Sequence, residues 1–358
     1  MNGGLKFSFL KTFRMKVEFL TSRWENAYEA FLKEGENTLF YYSNGFRKFL
    51  KRLLPVEDHY LIVIEAGRIL GALPAVLCRG NIGTCLNSLA FFGSNGGVIE
   101  FQGNRDVRQL LVNKFFELGK NKNCLSATII NSPFTENQGL KMDYDSLDKR
   151  IGQISSIREI SDKEPKNAIE LFGSFTRRMI RKAMKNAVNV QIKNDKKAFD
   201  FLKKVHYKHM DEINGKKKPD SFFHLVMDHF REGKDYNLWM AYKGSVPVAA
   251  LLLFYFNRTV EYYIPAIIKE YRSIQPLSLL IFEAMKDAAK KGYFHWNWGG
   301  NHLDQEGVQR FKKQWNALDV PYHYYIKVYD NSLFSCSEEL IKKEFPYCYL
   351  LPFNELNT

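Results

Sequence analysis

Glu261 is a carboxylate set in a run that is otherwise apolar and aromatic, "TVEYYIP", whose alternation reads as a strand. A carboxylate held away from water there has a raised pKa and suits proton transfer. An edge-strand salt bridge accounts for the same residue. His295, Asp304 and Glu306 are further proton-transfer candidates, and His295 also reads as a satisfied histidine between aromatic neighbours. The segment "HWNWGG" brings Asn297 to Gly299 and Gly300, where a strand of large rings ends in two residues that let the backbone turn or another group come close. Arg178 and Arg181 have the planar guanidinium that matches a phosphate; a solvated helix face, with Glu170 nearby in sequence, is the plainer reading. There is no G-x-S-x-G turn and no cysteine in a His and Asn setting, so a nucleophilic Ser or Cys is not expected.

These residues need elements to hold them. In the first half, helical spacing covers 24–33, 43–54 and 104–121, and strand-like runs cover 59–65, 69–78, 84–92 and 124–130. In the second half a helix from a Ser174 cap to 187 carries Arg177, Arg178 and Arg181, followed by a strand at 188–193 and helices at 196–213 and 220–231. Three strands then form a meander over 236–265, turning at Lys243-Gly244 and Asn257-Arg258. A helix over 275–291, ended by Gly292, leads to the strand 293–298, a helix at 308–315 and a last strand at 322–329. The stretch 137–165 is charged and weakly periodic, and its end reads as the passage between halves. The predicted class is α/β with mixed sheets, in two domains: 1–165, where 1–14 reads as an extension ahead of Met15, and 166–358. The halves share an order of helices, meander, helix and strand, which points to a structural repeat.

Composition narrows the partners. The chain of 358 residues carries a net charge of +13, and residues 166–218 hold 15 Lys or Arg against 5 Asp or Glu, so most of the excess is local. Such a band suits an anionic partner: phosphate, nucleotide, nucleic acid or acidic lipid. No apolar run approaches the ~20 residues that span a bilayer, and the N-terminus has no signal-peptide pattern. The five Cys are odd in number and form no C-x-x-C pair, so no metal and no secreted disulfide framework is expected, and a reducing cytoplasm is.

Five stretches then occur in a fixed order: "SFTRRMIRKAMKNAVNVQI", "VPVAALLLFYFNRTVEYYIPA", "QPLSLLIFEAMKDAAKKGYFHWNWGG", "GVQRFKKQWNA" and, earlier, "GRILGALPAVL" with "SLAFFGSNGGV". This order resembles the FemAB/FemX group of the GNAT acyltransferase superfamily, from about residue 24 to 329. The resemblance implies two tandem GNAT-like domains, each a mostly antiparallel sheet flanked by helices, that join an amine to an activated acyl group. It implies Lys312 as a catalytic residue, placing positive charge at a phosphate or the tetrahedral intermediate, beside Glu261, the catalytic carboxylate that the residue pattern itself offers. Without it, Lys312 reads as an exposed lysine beside Lys313. Asn95, Gly96 and Gly97 would face the cleft from the first domain, joined at the acceptor by Arg178, Arg181, Asn297, Gly299 and Gly300.

Arg272 and Gln275 would serve the donor. "EYRSIQPLSLL" lacks the glycine-rich pyrophosphate loop of coenzyme A-binding GNAT enzymes, and Pro276 removes one N–H from the helix start. The expected activity is N-acylation, from an acyl-coenzyme A co-substrate that is not tightly bound, of an amine on a cell-envelope or polysaccharide precursor such as a nucleotide-linked amino sugar. Aminoacyl-tRNA is the alternative donor. A non-catalytic RNA- or membrane-surface-binding protein of the same fold is the rival class. Lipid-linked acceptors would bring the protein to the inner membrane face, where the run Lys216-Lys217-Lys218 can meet anionic headgroups.

Overall fold

The computed structural model describes residues 15–36, 38–91, 95–134, 141–161, 167–301 and 305–356. Its strands are β1 Lys16–Phe19, β2 Val56–Asp58, β3 Leu61–Glu65, β4 Arg68–Leu73, β5 Val76–Gly80, β6 Gly83–Asn87 and β7 Ser126–Ile130. They continue with β8 Ser146–Ser156, β9 Val188–Ile192, β10 Tyr236–Lys243, β11 Val246–Phe256, β12 Thr259–Ile267, β13 His295–Asn301 and β14 Leu318–Val328. The helices are α1 Glu25–Leu32, α2 Asn44–Leu53, α3 Arg105–Asn121, α4 Arg158–Ser161 and α5 Ser174–Lys185. After them come α6 Lys196–Glu212, α7 Asp220–His229, α8 Pro276–Lys290, α9 Glu306–Lys313 and α10 Glu338–Glu344.

Strands β1, β3 and β4 make a small sheet, and eleven others form one sheet in the order β2-β5-β6-β7-β14-β8-β13-β12-β11-β10-β9. Read outward from β14 and β8, the two wings match: each contains a parallel pair, β6 with β7 and β12 with β13, flanked by an antiparallel hairpin partner. The innermost strands are exchanged. β14, from the second half, pairs antiparallel with β7, whereas β8, from the first half, pairs antiparallel with β13. β8 and β14 also pair with each other over nine residues. The stretch 137–165, whose end is the expected passage between halves, therefore contains a central strand that the sequence reading did not identify. Gly152 permits it, because a Cβ there would lie 2.3 Å from the Pro133 side chain. The stretch looked irregular because its charged residues, Asp148 and Arg150, pair with each other and with rings rather than facing water.

Three apolar cores flank the sheets. One lies under α3 and includes Val107, Leu111 and Phe115. A second joins Ile180 of α5 and Leu280 of α8 to Trp296 and Trp315. The third spans both halves, where Phe40 stacks on Phe254 at 4.4 Å and Phe49 meets Phe222 edge-on at 5.7 Å. Sequence periodicity located most helices within two residues. Ser174 is the first residue of α5 rather than its cap, which is Gly173 without a side-chain bond. Gly292, at φ 82°, follows α8 as expected of a left-handed terminator.

Candidate active site

β12 and β13 run parallel for only three residue pairs, ending with Glu261 opposite Asn297, and then part. Irregularities mark both sides of this fork. The β11–β12 register shifts between Leu252 and Leu253, and the β8–β13 register shifts between Asn297 and Gly300. Bulges of this kind bend a strand and re-aim its side chains. At the second one the Asn297 carboxamide oxygen accepts from the Gly299 N–H at 3.0 Å, and Gly299 has φ 75°. Gly300 is required for another reason. A Cβ there would sit 1.8 Å from the Tyr322 hydroxyl of β14. The Gly-Gly corner thus combines one backbone turn with one close approach.

Glu261 is 1 % exposed on a strand interior to the sheet, so the edge-strand salt bridge is not what it makes. Asn297 Nδ2 donates to its Oε2 at 2.8 Å, and Oε1 has no hydrogen-bond partner among the described residues. Burial pushes its pKa up to about 8 against the lowering effect of the nearby Tyr41 and Asn297 side chains. Tyr263 and Tyr322 lie close enough to act electrostatically on Tyr41, and Asn95 lies near the Tyr322 hydroxyl. A carboxyl, two carboxamides and three phenols therefore meet in the core that joins the halves.

Lys312 is 5 % exposed, not the surface lysine that sequence alone suggested; its neighbour Lys313 is the exposed one, paired with Asp319 at 2.7 Å. Its Nζ donates to Asn301 Oδ1 at 2.9 Å and reaches the Gly299 carbonyl at 3.4 Å. Asn301 in turn donates to Gln153 Oε1 at 3.0 Å, and Gln153 donates to Asp319 at 2.9 Å. Lys312 is held behind the glycine corner, and burial lowers its pKa to about 8.

The remaining candidates separate. Asn95 is buried and donates to the Asn131 carbonyl at 2.8 Å; Gly96 donates its N–H to the Ile130 carbonyl, and a Cβ on it would meet Leu89 and Ser88 at 2.8 Å. Gly97 follows in the same buried coil. Arg178 and Arg181 are not at the fork: α5 packs on the opposite sheet face, Arg181 pairs with Glu170 at 2.5 Å, and Arg178 lies over the exposed Phe175 ring at 5.3 Å. Their assignment to the acceptor does not fit this placement. His295 packs against the Phe134 ring at 5.4 Å, and burial lowers its pKa. Glu306 is exposed at the start of α9, and Asp304 lies outside the described residues.

Arg272 lines a cavity of about 260 Å³ with Lys204, Lys208, His209 and Lys269 around the Phe201 ring. Gln275, at φ 59°, precedes α8 and accepts from Ser278 Oγ at 3.2 Å. The three lysines expected at a membrane diverge. Lys216 sits over the Tyr347 ring, Lys217 pairs with Asp211 at 2.6 Å, and Lys218 is 9 % exposed among Phe91, Phe222 and Tyr263. Lys218 Nζ lies 3.2 Å from the Tyr263 hydroxyl, and burial brings its pKa down to about 7. The sequence reading missed Lys218 and the three tyrosines. The available signal was a lysine directly before Pro219 and a pair of phenylalanines, where a solvated run would have no reason to stop.

Residues 174–313 match the family described as acetyltransferase (GNAT) domain. A sequence comparison with curated proteins gives no match. Among solved structures, FemX superposes with a TM-score of 0.67 at 14 % identity, covering 89 % of this chain and 98 % of FemX. The C-terminal domain of a lysylphosphatidylglycerol synthetase from Agrobacterium fabrum gives 0.53 at 12 %, covering 85 % and 91 %. A tandem GNAT protein from the clavulanic acid pathway gives 0.52 at 10 %, covering 88 % and 98 %. The fold is thus that of paired GNAT-like units, with a GNAT domain in the second half. The GNAT match lies in residues 174–313, and the chain as a whole is similar in fold to FemX.

Proposed function

We propose that the chain is an N-acyltransferase that uses the fork between β12 and β13 to join an activated acyl group to an amine. The observation that carries this reading is the Glu261–Asn297 pair: a buried carboxyl, bonded by a carboxamide at one oxygen and unpartnered at the other among the described residues, at the point where two parallel strands separate. An acceptor ammonium must lose a proton before its nitrogen can attack. Glu261, once ionised, accepts that proton, and its high pKa makes it a stronger base than an exposed glutamate. The nitrogen then bonds to the acyl carbon, and the bond to the leaving group breaks as that group departs with the electron pair. In this reading, backbone N–H groups at the parting of the strands stabilise the oxyanion between these steps. Lys312 supports the corner from behind.

We take the donor to be an acyl-coenzyme A, acetyl or longer. Its phosphates suit the basic cavity at Arg272, beside the start of α8. The acceptor is an amine of a cell-envelope or polysaccharide precursor, such as a nucleotide-linked amino sugar. It reaches the fork through a cleft of about 740 Å³ lined by Arg150, Lys216, Tyr324 and Tyr349, since Tyr324 packs against Tyr322 at 5.9 Å. A cytoplasmic setting, at times against the inner membrane face, fits such a substrate. Among the described residues no helix is long and apolar enough to cross a membrane. Aminoacyl-tRNA is the second donor reading, favoured by the outward cations of α5, including Arg178 and Lys182.

The test is calorimetric titration with acetyl-coenzyme A and with free coenzyme A, followed by a panel of nucleotide amino sugars. Saturable binding of the thioester with turnover of one sugar is expected. No binding at millimolar thioester would overturn the coenzyme A donor, and charged tRNA would be assayed next. Turnover retained in Glu261→Gln would overturn the role of the carboxyl.

A further inference from the structure

The first half contains a second fork in matching register. β6 and β7 run parallel for three pairs, ending with Asn87 opposite Thr128, the counterparts of Glu261 and Asn297. This fork is filled by the chain's own C-terminal segment. Asn87 Nδ2 donates to the Tyr349 carbonyl at 2.7 Å, and its Oδ1 accepts from the Tyr349 N–H at 2.7 Å. Thr128 Oγ1 donates to the same carbonyl at 3.2 Å, and the Phe91 N–H donates to the Tyr347 carbonyl at 2.7 Å. Between those anchors lies Cys348, joined to Cys78 of β5 across 270 residues of sequence. The sequence reading gave no pairing for these cysteines.

A third sulfur is in place. Cys85 of β6 is the cross-strand partner of Cys78, and the sulfurs of Cys78, Cys85 and Cys348 all lie within 4.8 Å of one another. The other two cysteines are elsewhere. Cys124 belongs to the core under α3, and Cys336 bonds the Ser332 carbonyl through its sulfur at 3.6 Å.

We propose that Cys78, Cys85 and Cys348 form a thiol–disulfide exchange site that fastens the segment 346–351 into the β6–β7 fork and releases it. In the exchange, the Cys85 thiolate attacks the Cys78 sulfur. A Cys78–Cys85 bond forms, the Cys78–Cys348 bond breaks, and Cys348 leaves as a thiolate that takes up the proton given by Cys85. One thiol and one disulfide stand on each side, so no external oxidant or reductant is consumed. Burial raises the Cys85 thiol well above its ordinary range, which keeps the fastened form long-lived until the segment opens to water. Release matters to the rest of the molecule because Cys348, Tyr349 and Leu350 form one wall of the 740 Å³ cleft. The exchange is independent of acyl transfer and stands or falls without it.

The experiment is non-reducing peptide mapping of the intact, folded chain after alkylation with N-ethylmaleimide, with hydrogen exchange of 346–351 in parallel. Wild type is expected to show Cys78–Cys348 with a minor Cys78–Cys85 species. Oxidation of Cys348→Ser with diamide should convert it to Cys78–Cys85 alone, and Cys85→Ala should leave only Cys78–Cys348. Reduction with dithiothreitol should speed exchange at the Tyr347 and Tyr349 amides at least tenfold, with α8 unchanged as the internal control for folding. Alkylation of Cys78, Cys85 and Cys348 together after diamide treatment of the wild type, absence of the Cys78–Cys85 species in Cys348→Ser, or equal exchange in oxidised and reduced protein would each overturn the proposal. Should Cys348→Ser not fold, the minor species in wild type and its loss in Cys85→Ala decide the question.

Discussion

The two forks have the same backbone and opposite chemistry. In the first, the last parallel pair is Asn87 with Thr128, and their side chains bond both backbone groups of Tyr349. A carboxamide offers one donor and one acceptor, so it completes a neighbouring strand as another peptide group would. In the second, the matching pair is Glu261 with Asn297, and the carboxyl is bonded by the Asn297 carboxamide with the Tyr41 side chain nearby. A carboxyl there can hold a proton or give it up. Changing Asn to Glu at one register position separates a structural joint from a proton-transfer centre, and no difference in fold is needed.

The sharpest way to break this contrast is Glu261→Gln, which makes the second fork resemble the first. Acyl transfer is expected to fall by a factor of about 10² or more, the usual size of a general-base contribution. Wild-type rate should rise with pH toward a plateau above about pH 8, as the carboxyl ionises. Stability should move the other way. The folded carboxyl binds its proton more tightly than the unfolded one, whose ordinary value is 4.5, so wild-type stability is lost as pH rises from there to about 8. The Gln variant should gain on wild type through that window, by at most about 1.4 kcal/mol per pH unit, and keep a constant lead above it. Denaturant titrations at pH 5, 7 and 9 check this; equal pH dependence in the two proteins would remove the buried-carboxyl argument.

Next in size is Gly300→Ala, which tests whether the second fork depends on its close approach to Tyr322. The added Cβ must displace a buried phenol, so a loss of about 1–3 kcal/mol and a weakened site are expected. Tyr322→Phe in the same chain should restore part of the stability, because it removes the nearest atom. The ring carbon at 2.8 Å prevents full recovery. Thermal melts of the single and double variants measure the coupling.

How far these forks could be read from sequence differs by element. The meander leading to β12, the helix α8 and the strand β13 were legible, because buried rings and aliphatic residues alternate or recur at helical spacing. Glu261 was legible as a lone carboxyl in such a run. β8 was not, because an exchanged strand has its partners far along the chain and its polar residues are satisfied by tertiary contacts. Lys312 and Lys218 looked solvated, since composition around them is basic, and only the packing shows each one buried. The plug in the first fork was invisible for the same reason: Asn87 and Tyr349 are 262 residues apart.

A smaller effect sharpens the comparison from the other side. Asn87→Ala removes two bonds to Tyr349 and leaves a buried backbone donor with fewer partners, a cost of about 1–3 kcal/mol. Amide exchange at 346–351 should speed up, while transfer at the second fork should change less than in Gly300→Ala. Equal damage to both forks would mean that the plug supports the whole sheet rather than its own wing.

The least disruptive change separates the donors. Arg181 is exposed and paired with Glu170 on the sheet face away from Glu261, so Arg181→Ala should alter stability by no more than about 0.5 kcal/mol. With a coenzyme A donor, its kcat/KM should also stay within about twofold of wild type. An aminoacyl-tRNA donor would run its phosphates along α5, and removing one cation there would raise KM and reduce the salt dependence of binding while kcat held. Measuring KM for both donors at two salt concentrations therefore asks whether the outer face of α5 takes part in the chemistry of the second fork or only caps the core beneath it.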